Sequence, residues 1–222
     1  MADYIEYLKT VDSPTLSNAI ELLDVRPRSV GFLPLSIRCL FPEFGRMVGY
    51  AVTAEVETIT RREPGDANRF IELYEALANS PKPAVIAFQE IGGNGDFAAH
   101  CGEVMATAFT RLGAVGLVSD CAVRDLPEVR ALGFQYFARG VAASHGYFRI
   151  HRVGVPIQIA GEIIRPGSLL HGDENGLLLV PDGIEQTVAA KVDAVRTRER
   201  KLMDYMKSPE FTLEGLRGRM VE

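Results

Sequence analysis

Tryptophan is absent from this chain, and among its 222 residues there are only three cysteines and four histidines. Cys39, Cys101 and Cys121 are odd in number and lack metal-ligand spacing, which argues against a disulfide framework and for free thiols in a reducing compartment. His145 and His151 stand six apart, off the spacing of a helical zinc pair, so structural or surface roles are expected for them. Positive charge is gathered nowhere. The 24 Lys and Arg are scattered against 29 Asp and Glu, a net charge of -5, and no basic stripe is there to neutralise a phosphate backbone. Nucleic acid is therefore not an expected partner. No apolar run approaches the roughly 20 residues of a membrane helix, and the opening MADYIEYLKT lacks the charged and apolar regions of a signal peptide. The expectation is a soluble, cytoplasmic protein with no membrane partner.

Apolar residues make up 47% of the chain, enough to close one core, and a single domain over residues 1–222 is expected. Ser13 before Pro14, followed by Leu16, Ile20 and Leu23, predicts an N-terminal helix over 13–24 with Ser13 as its cap. Residues 25–46 hold Pro27, Pro34 and Pro42 without sustained periodicity and read as an irregular connection. GYAVTAEVETI (49–59) predicts a strand, DANRFIELYEALANS (66–80) a helix ended by Pro81, and PAVIAF (83–88) a buried strand. A glycine-rich loop leads to a helix that starts near Gly102 and stops at Gly113. The segments 114–119, 126–133 and 134–138 then make a βαβ unit with parallel pairing. From 153 onward short β segments between Gly, Pro and Asp/Asn turns predict a meander beside the first sheet. A charged helical extension over about 183–207 carries Ile184, Val188, Val192 and Val195 on one face.

The stretch GLVSDCAVRDLPEVRALGF, residues 116–134, sets an apolar run against Arg124 and Asp125 and then begins a short helix. Leu126 precedes Pro127 and is biased out of the α region, which leaves Arg124 and Asp125 in the strand-to-helix turn. Turns at the carboxyl ends of strands face the ligand crevice of α/β sheets. A purely structural account is a capping box of Asp125 with Glu128 beside an ordinary surface arginine. A second constellation shifts the balance toward a site. Glu103 begins the helix after the glycine loop, and the amides of Val104 and Met105 fall in its first turn, where N–H groups without intrahelical partners bind anions. Twenty residues separate Glu103 from Arg124, enough for one helix, one turn and one strand, so both ends can return to one sheet edge. Carboxylates with an arginine suit oxygen ligation of a hard cation, Mg²⁺ or Mn²⁺, and the arginine with free amides suits an anionic 2-oxo acid.

An acidic residue, twenty residues, Arg-Asp, two residues and an acidic residue is a pattern that resembles the RraA-like family. That family includes the class II 4-hydroxy-4-methyl-2-oxoglutarate/4-carboxy-4-hydroxy-2-oxoadipate aldolases. RALGFQYFARG and RPGSLLHGDENGLLLVP are also similar to it, so the resemblance spans most of residues 13–182. It implies an α/β fold, a three-layer β/β/α sandwich of the swivelling-domain type, assembled as a homotrimer or hexamer. It also implies a metal-dependent aldolase that cleaves a 4-hydroxy-2-oxo dicarboxylic acid to pyruvate and a second oxo acid, with oxaloacetate decarboxylase side activity. By position, Asp125 would coordinate the metal, Glu103 would hold metal-bound water, and Glu128 would stand just behind them. Arg124, Gly102 and the amides of Val104 and Met105 would bind the pyruvyl carboxylate. Glu199 is the nearest candidate for an acidic group that the family's aldolases bring from a neighbouring subunit. The resemblance carries a rival reading as well, a non-catalytic regulator that binds a ribonuclease or another protein partner.

Cys121 stands where the family more often has glycine, Asn18 where it often has aspartate, and GGNGDFAAHC is a longer, more polar loop, departures that bear on substrate identity. Cys121 has no histidine near it in sequence and reads as a packed thiol rather than a nucleophile. His100, beside the helix start, reads first as a structural histidine, with a place in the pocket as a proton donor as the alternative. GGNGD lacks the lysine of a P-loop and reads as a mobile active-site loop. Asp120 either orients Arg124 or caps the turn. Lys9, Lys82, Lys191, Lys201 and Lys207 sit at termini, in a Pro-flanked turn or on the charged helix, so a Schiff-base mechanism is not expected. Arg61, Arg62, Arg139 and Arg149 are candidates for the distal half of the substrate.

Overall fold

The computed structural model describes residues 2–59 and 68–220. Two helices, α1 (Ala2–Leu8) and α2 (Ser13–Glu21), lead into strands β1 (Arg38–Cys39) and β2 (Met47–Ile59). Next come α3 (Asn68–Asn79), β3 (Ala84–Glu90), α4 (Glu103–Arg111), β4 (Ala114–Ser119), β5 (Ala122–Val123), α5 (Leu126–Ala131), β6 (Gln135–Ala138) and β7 (Gly140–Val141). The chain continues through β8 (Tyr147–Val153), β9 (Ile157–Ile159), β10 (Glu162–Ile164), β11 (Leu169–Asp173), β12 (Gly176–Val180), α6 (Val188–Lys207) and α7 (Leu213–Met220).

The main sheet runs β1-β6-β4-β3-β2-β11-β12, with β8 also on β2. Strands β2, β3, β4 and β6 are parallel, which includes the expected β4-α5-β6 unit. Alternation along β2 sorts the core onto two faces. Val52, Ala54 and Val56 pack with Leu73 and Leu77 of α3 and Phe109 of α4. Met47 and Ala51 point the other way, onto Ile157, Ile159 and Ile164 of the β9–β10 hairpin. Hairpin, sheet and helices are the three β/β/α layers. On the helical face, Val48 joins Leu16 and Ile20 of α2 and the apolar stripe Ile184, Val188, Val192 and Val195.

Tertiary contacts move several boundaries. Asp12, not Ser13, caps α2, its carboxylate accepting the Thr15 N–H at 2.9 Å. Ser13 instead gives its N–H to Asp173 Oδ2 at 2.7 Å, and its hydroxyl meets His171 Nδ1 at 3.0 Å. The irregular connection over 25–46 contains β1, recruited antiparallel onto β6, and a 3-10 turn at Pro42–Phe44. The meander does not simply lie beside the sheet: β11 and β12 extend it by antiparallel pairing on β2, and β9 and β10 stand apart. α1 and α7 were not expected from periodicity, α2 ends at Glu21, and α6 begins at Val188. Residues 66 and 67 of the expected third helix lie outside the described residues. Among the described residues no helix is long and apolar enough to cross a membrane.

His171 pins α1 and α2 to β11. Its Nε2 meets only carbonyl oxygens, Leu8 at 3.1 Å and Val11 at 2.9 Å, so Nε2 carries the proton and Nδ1 accepts from Ser13. Burial lowers its affinity for a second proton below the ordinary value of 6.5. The unfolded chain takes up that proton below about pH 6.5 and the folded chain does not, so stability should fall as pH drops from there. Urea midpoints at about pH 7.5 and about pH 5 should show the loss. His171→Gln should be less stable at the higher pH, by about 2 kcal/mol, and less sensitive to the drop. Equal sensitivity in the two proteins would assign the effect to another group.

Candidate active site

Strands β3 and β4 end side by side, and the segments that follow them are laced together. Ala99 bridges to Ala122, the His100 N–H donates to Ala122 O at 2.8 Å, and the Arg124 N–H donates to Cys101 O at 2.9 Å. On its other edge β5 pairs with β7. This short ladder sets Gly102 against the Arg-Asp pair. Asp125 holds the left-handed conformation, φ 59 and ψ 45, and its side chain does not cap its own helix α5. Its Oδ2 accepts the N–H of Glu103, the first residue of α4, at 2.9 Å and lies 3.6 Å from Arg124 Nε. The capping-box account therefore gives way: Asp125 serves a neighbouring helix, while Glu128 is exposed on α5.

Gly102 precedes α4 with φ -140, backbone that any residue adopts. The space around it is what demands glycine. A Cβ there would lie 2.3 Å from Asp125 Oδ2 and 2.9 Å from Arg124 Nε. The bare Cα lets both functional groups fold over the helix start. The Ala106 N–H reaches Gly102 O at 3.0 Å, and the amides of Val104 and Met105 precede this first intrahelical bond. A cavity of about 270 Å³ opens here, lined by Gly102, Val104, Met105 and Arg124 together with Phe70, His145 and Phe148. Glu103 is exposed beside it.

The family model described as RraA-like, Aldolase/RraA, matches residues 14–179. The chain belongs to the RraA-like family. It is 30% identical, over 96% of its own length and 95% of the relative's, to a Halalkalibacterium halodurans protein named "Putative 4-hydroxy-4-methyl-2-oxoglutarate aldolase". The crystal structure of an uncharacterized protein from Pseudomonas syringae pv. tomato superposes with a TM-score of 0.75 at 26% identity, covering 100% of this chain and 95% of that one. That of Streptomyces coelicolor RraAS2, an unusual member of the RNase ES inhibitor RraA protein family, gives 0.70 at 22% identity, covering 94% and 98%, a likeness of fold.

In this RraA-like chain a buried hydrogen-bond network backs the cavity wall. His100 lines the cavity, yet its Nε2 is 2.9 Å from Glu90 Oε2 and its Nδ1 3.0 Å from Ser119 Oγ, so both nitrogens are engaged. Glu90 also accepts from the Thr58 hydroxyl at 2.8 Å and the Gly92 N–H at 2.7 Å. Burial works to raise the Glu90 carboxyl, but the bonds from His100 and Thr58 outweigh it and hold the group at about 2. Among the described residues Asp120 makes no bond to Arg124. Its Oδ1 accepts the Glu90 N–H at 2.7 Å, tying the two strand ends together, and burial pushes its carboxyl up to about 6. The Cys121 thiol donates to Gly95 O at 2.7 Å and Ala98 O at 3.0 Å and is pushed up to about 12 by burial, so it fastens the glycine loop as a protonated thiol. With Asn94 bonded to Thr58 O at 3.0 Å, the segment read as mobile is tied at several points.

Glu90, His100 and Cys121 have potential ligand atoms within 4.8 Å of one another, near enough to hold a metal ion. Their lone pairs and protons are committed to the network above, and a protonated thiol is a poor ligand for a hard cation. The expected set behaves differently. Among the described residues Asp125 Oδ1 has no hydrogen-bond partner, while Glu103 and Glu128 are exposed and form no comparable cluster with it in a single chain. Glu199, expected to act on a neighbouring subunit, accepts from Asn18 Nδ2 of its own chain at 3.3 Å. The wall of Phe70, His145 and Phe148 escaped sequence reasoning, since these residues follow different elements and share no spacing. The one available signal was a histidine between Ser144 and Gly146 in a loop.

Proposed function

We propose that this RraA-like chain is a class II pyruvate aldolase acting on a 4-hydroxy-2-oxo dicarboxylic acid such as 4-hydroxy-4-methyl-2-oxoglutarate. Oxaloacetate decarboxylation is its side activity, and it works in the cytoplasm as a homotrimer or hexamer. The observation that carries the reading is the meeting of Arg124, the first-turn amides of α4 and the Asp125 carboxylate around a glycine with no room for a side chain. The donor set suits Mg²⁺ or Mn²⁺. Mg²⁺ is commonly held by one or two carboxylates and keeps several waters, which Asp125 with the exposed Glu103 provides for, Glu128 standing behind. When bound, such a cation supplies a Lewis acid for the 2-oxo group. Arg124 and the amides of Val104 and Met105 bind the pyruvyl carboxylate, and their fixed dipoles need no reorganisation as charge develops. Glu103 would hold metal-bound water, and Glu199 is the candidate contribution from a neighbouring subunit.

The test is pyruvate release by the purified protein from 4-hydroxy-4-methyl-2-oxoglutarate and from oxaloacetate, with Mg²⁺ or Mn²⁺ and again with EDTA. EDTA-sensitive release from the hydroxy acid is the expected result. Decarboxylation alone would leave a pyruvate-enolate site with another substrate. Silence on both would favour the non-catalytic regulator.

A further inference from the structure

The cavity brings the Arg124 guanidinium and the first-turn amides of α4 together with Phe70, Phe148 and the exposed His145. Phe148 packs against Phe70 with ring centroids 6.0 Å apart and against His100 at 5.2 Å, so the wall is braced from behind. A dicarboxylate needs a second polar anchor beyond Arg124. Of the arginines named for that role, Arg139 pairs with Asp96 at 3.0 Å and Arg149 with Glu57 at 2.7 Å, and neither lines the cavity. Arg61 and Arg62 lie outside the described residues. His100 is engaged on both nitrogens. His145 remains.

The backbone presents it firmly. The Ala99 N–H donates to Ser144 O at 2.8 Å, and the Gly146 N–H donates to Ser144 Oγ at 3.1 Å. Gly146 takes φ +53, and a Cβ there would meet Ala98 Cβ at 3.4 Å, so the turn closes tightly on the segment that leads to His100 and Gly102. Building on the aldolase reading, we propose that His145 reads the distal carboxylate of the substrate while Phe70 and Phe148 take the apolar substituent on the carbon next to it. The loop after β7 is thereby a specificity-determining part of the site.

The experiment is calorimetric titration of the full chain, with Mg²⁺, by 2-oxoglutarate and by 2-oxobutyrate, which share the 2-oxo acid end and differ in the distal carboxylate. His145→Ala should weaken 2-oxoglutarate relative to 2-oxobutyrate by about tenfold, the value of one hydrogen bond to a charged group. His145→Gln, which keeps an N–H donor, should recover part of that ratio. An unchanged ratio in His145→Ala would overturn the inference, and so would a parallel loss of both ligands, which signals damage to the site rather than loss of a reader. Wild-type protein that binds neither ligand and exchanges no methyl hydrogen of pyruvate with D₂O would sink the aldolase reading itself, a result distinct from an unchanged ratio.

Discussion

Asp125→Asn should leave a folded protein whose metal-dependent pyruvate release is reduced by about 10³-fold or more. The size follows from the several kcal/mol that a Lewis acid contributes to charge development, at a factor of ten per 1.4 kcal/mol. Asparagine keeps the two structural features of the position, since it tolerates the left-handed backbone and its amide oxygen can still accept the Glu103 N–H now bound at 2.9 Å. What it removes is the negative charge. Asp125→Ala should lose activity to the same extent, with an added cost of about 1–2 kcal/mol for the lost cap and for alanine at φ 59. Both variants should still melt cooperatively, because Asp125 contributes to none of the three apolar clusters. Wild-type turnover by either purified variant would remove Asp125 from the mechanism.

Gly102→Ala should produce the second-largest effect, and it separates positioning from folding. The backbone at φ -140 accepts alanine, and the unfolded chain loses some freedom, so stability should stay within about 1 kcal/mol of wild type. The new Cβ, however, would sit 2.3 Å from Asp125 Oδ2 and 3.0 Å from Arg124 Cγ, distances at which something must move. Both clashing groups are side chains, so they give way and the rest of the fold is spared. A displacement of about 1 Å at reacting groups can cost about 10²-fold, and kcat/KM for the hydroxy acid should fall by at least that much. Thermal melts and steady-state kinetics on the same sample check both halves. Full activity with an unchanged melt would show that Arg124 and Asp125 work without the positions they hold here.

Much of this was open to a reader of the sequence for a local reason. AVIAF and AVGLV are apolar at every position because parallel strands are covered on both faces, and the residue before Pro127 leaves the α region through a clash with its neighbour. That the start of α4 and the Arg124–Asp125 turn return to one sheet edge could be read from chain length alone. Long-range partners could not be read in the same way. Ser13 is a good cap by residue type, yet Asp173 and His171 claim it from about 160 residues away and Asp12 takes the role. Cys121, four residues before Asp125, turns out to fasten a loop through carbonyls more than twenty residues earlier. The short segments after 153 share one texture of apolar residues and turns, and only an available edge on β2 sends β11 and β12 into the sheet while β9 and β10 cover its face.

The sequence by itself determined which residues are apolar at which period, hence the parallel centre, the helical face and the turn that carries Arg124 and Asp125. The tertiary structure decided which groups meet: Asp125 with the start of α4, Gly102 beneath two side chains, and His145 brought from a separate loop to the cavity that Arg124 lines. Period is a property of neighbours in the chain, set by the geometry of one helix or one strand. Hydrogen-bond partners depend on where the packed layers bring distant backbone, which periodicity does not encode.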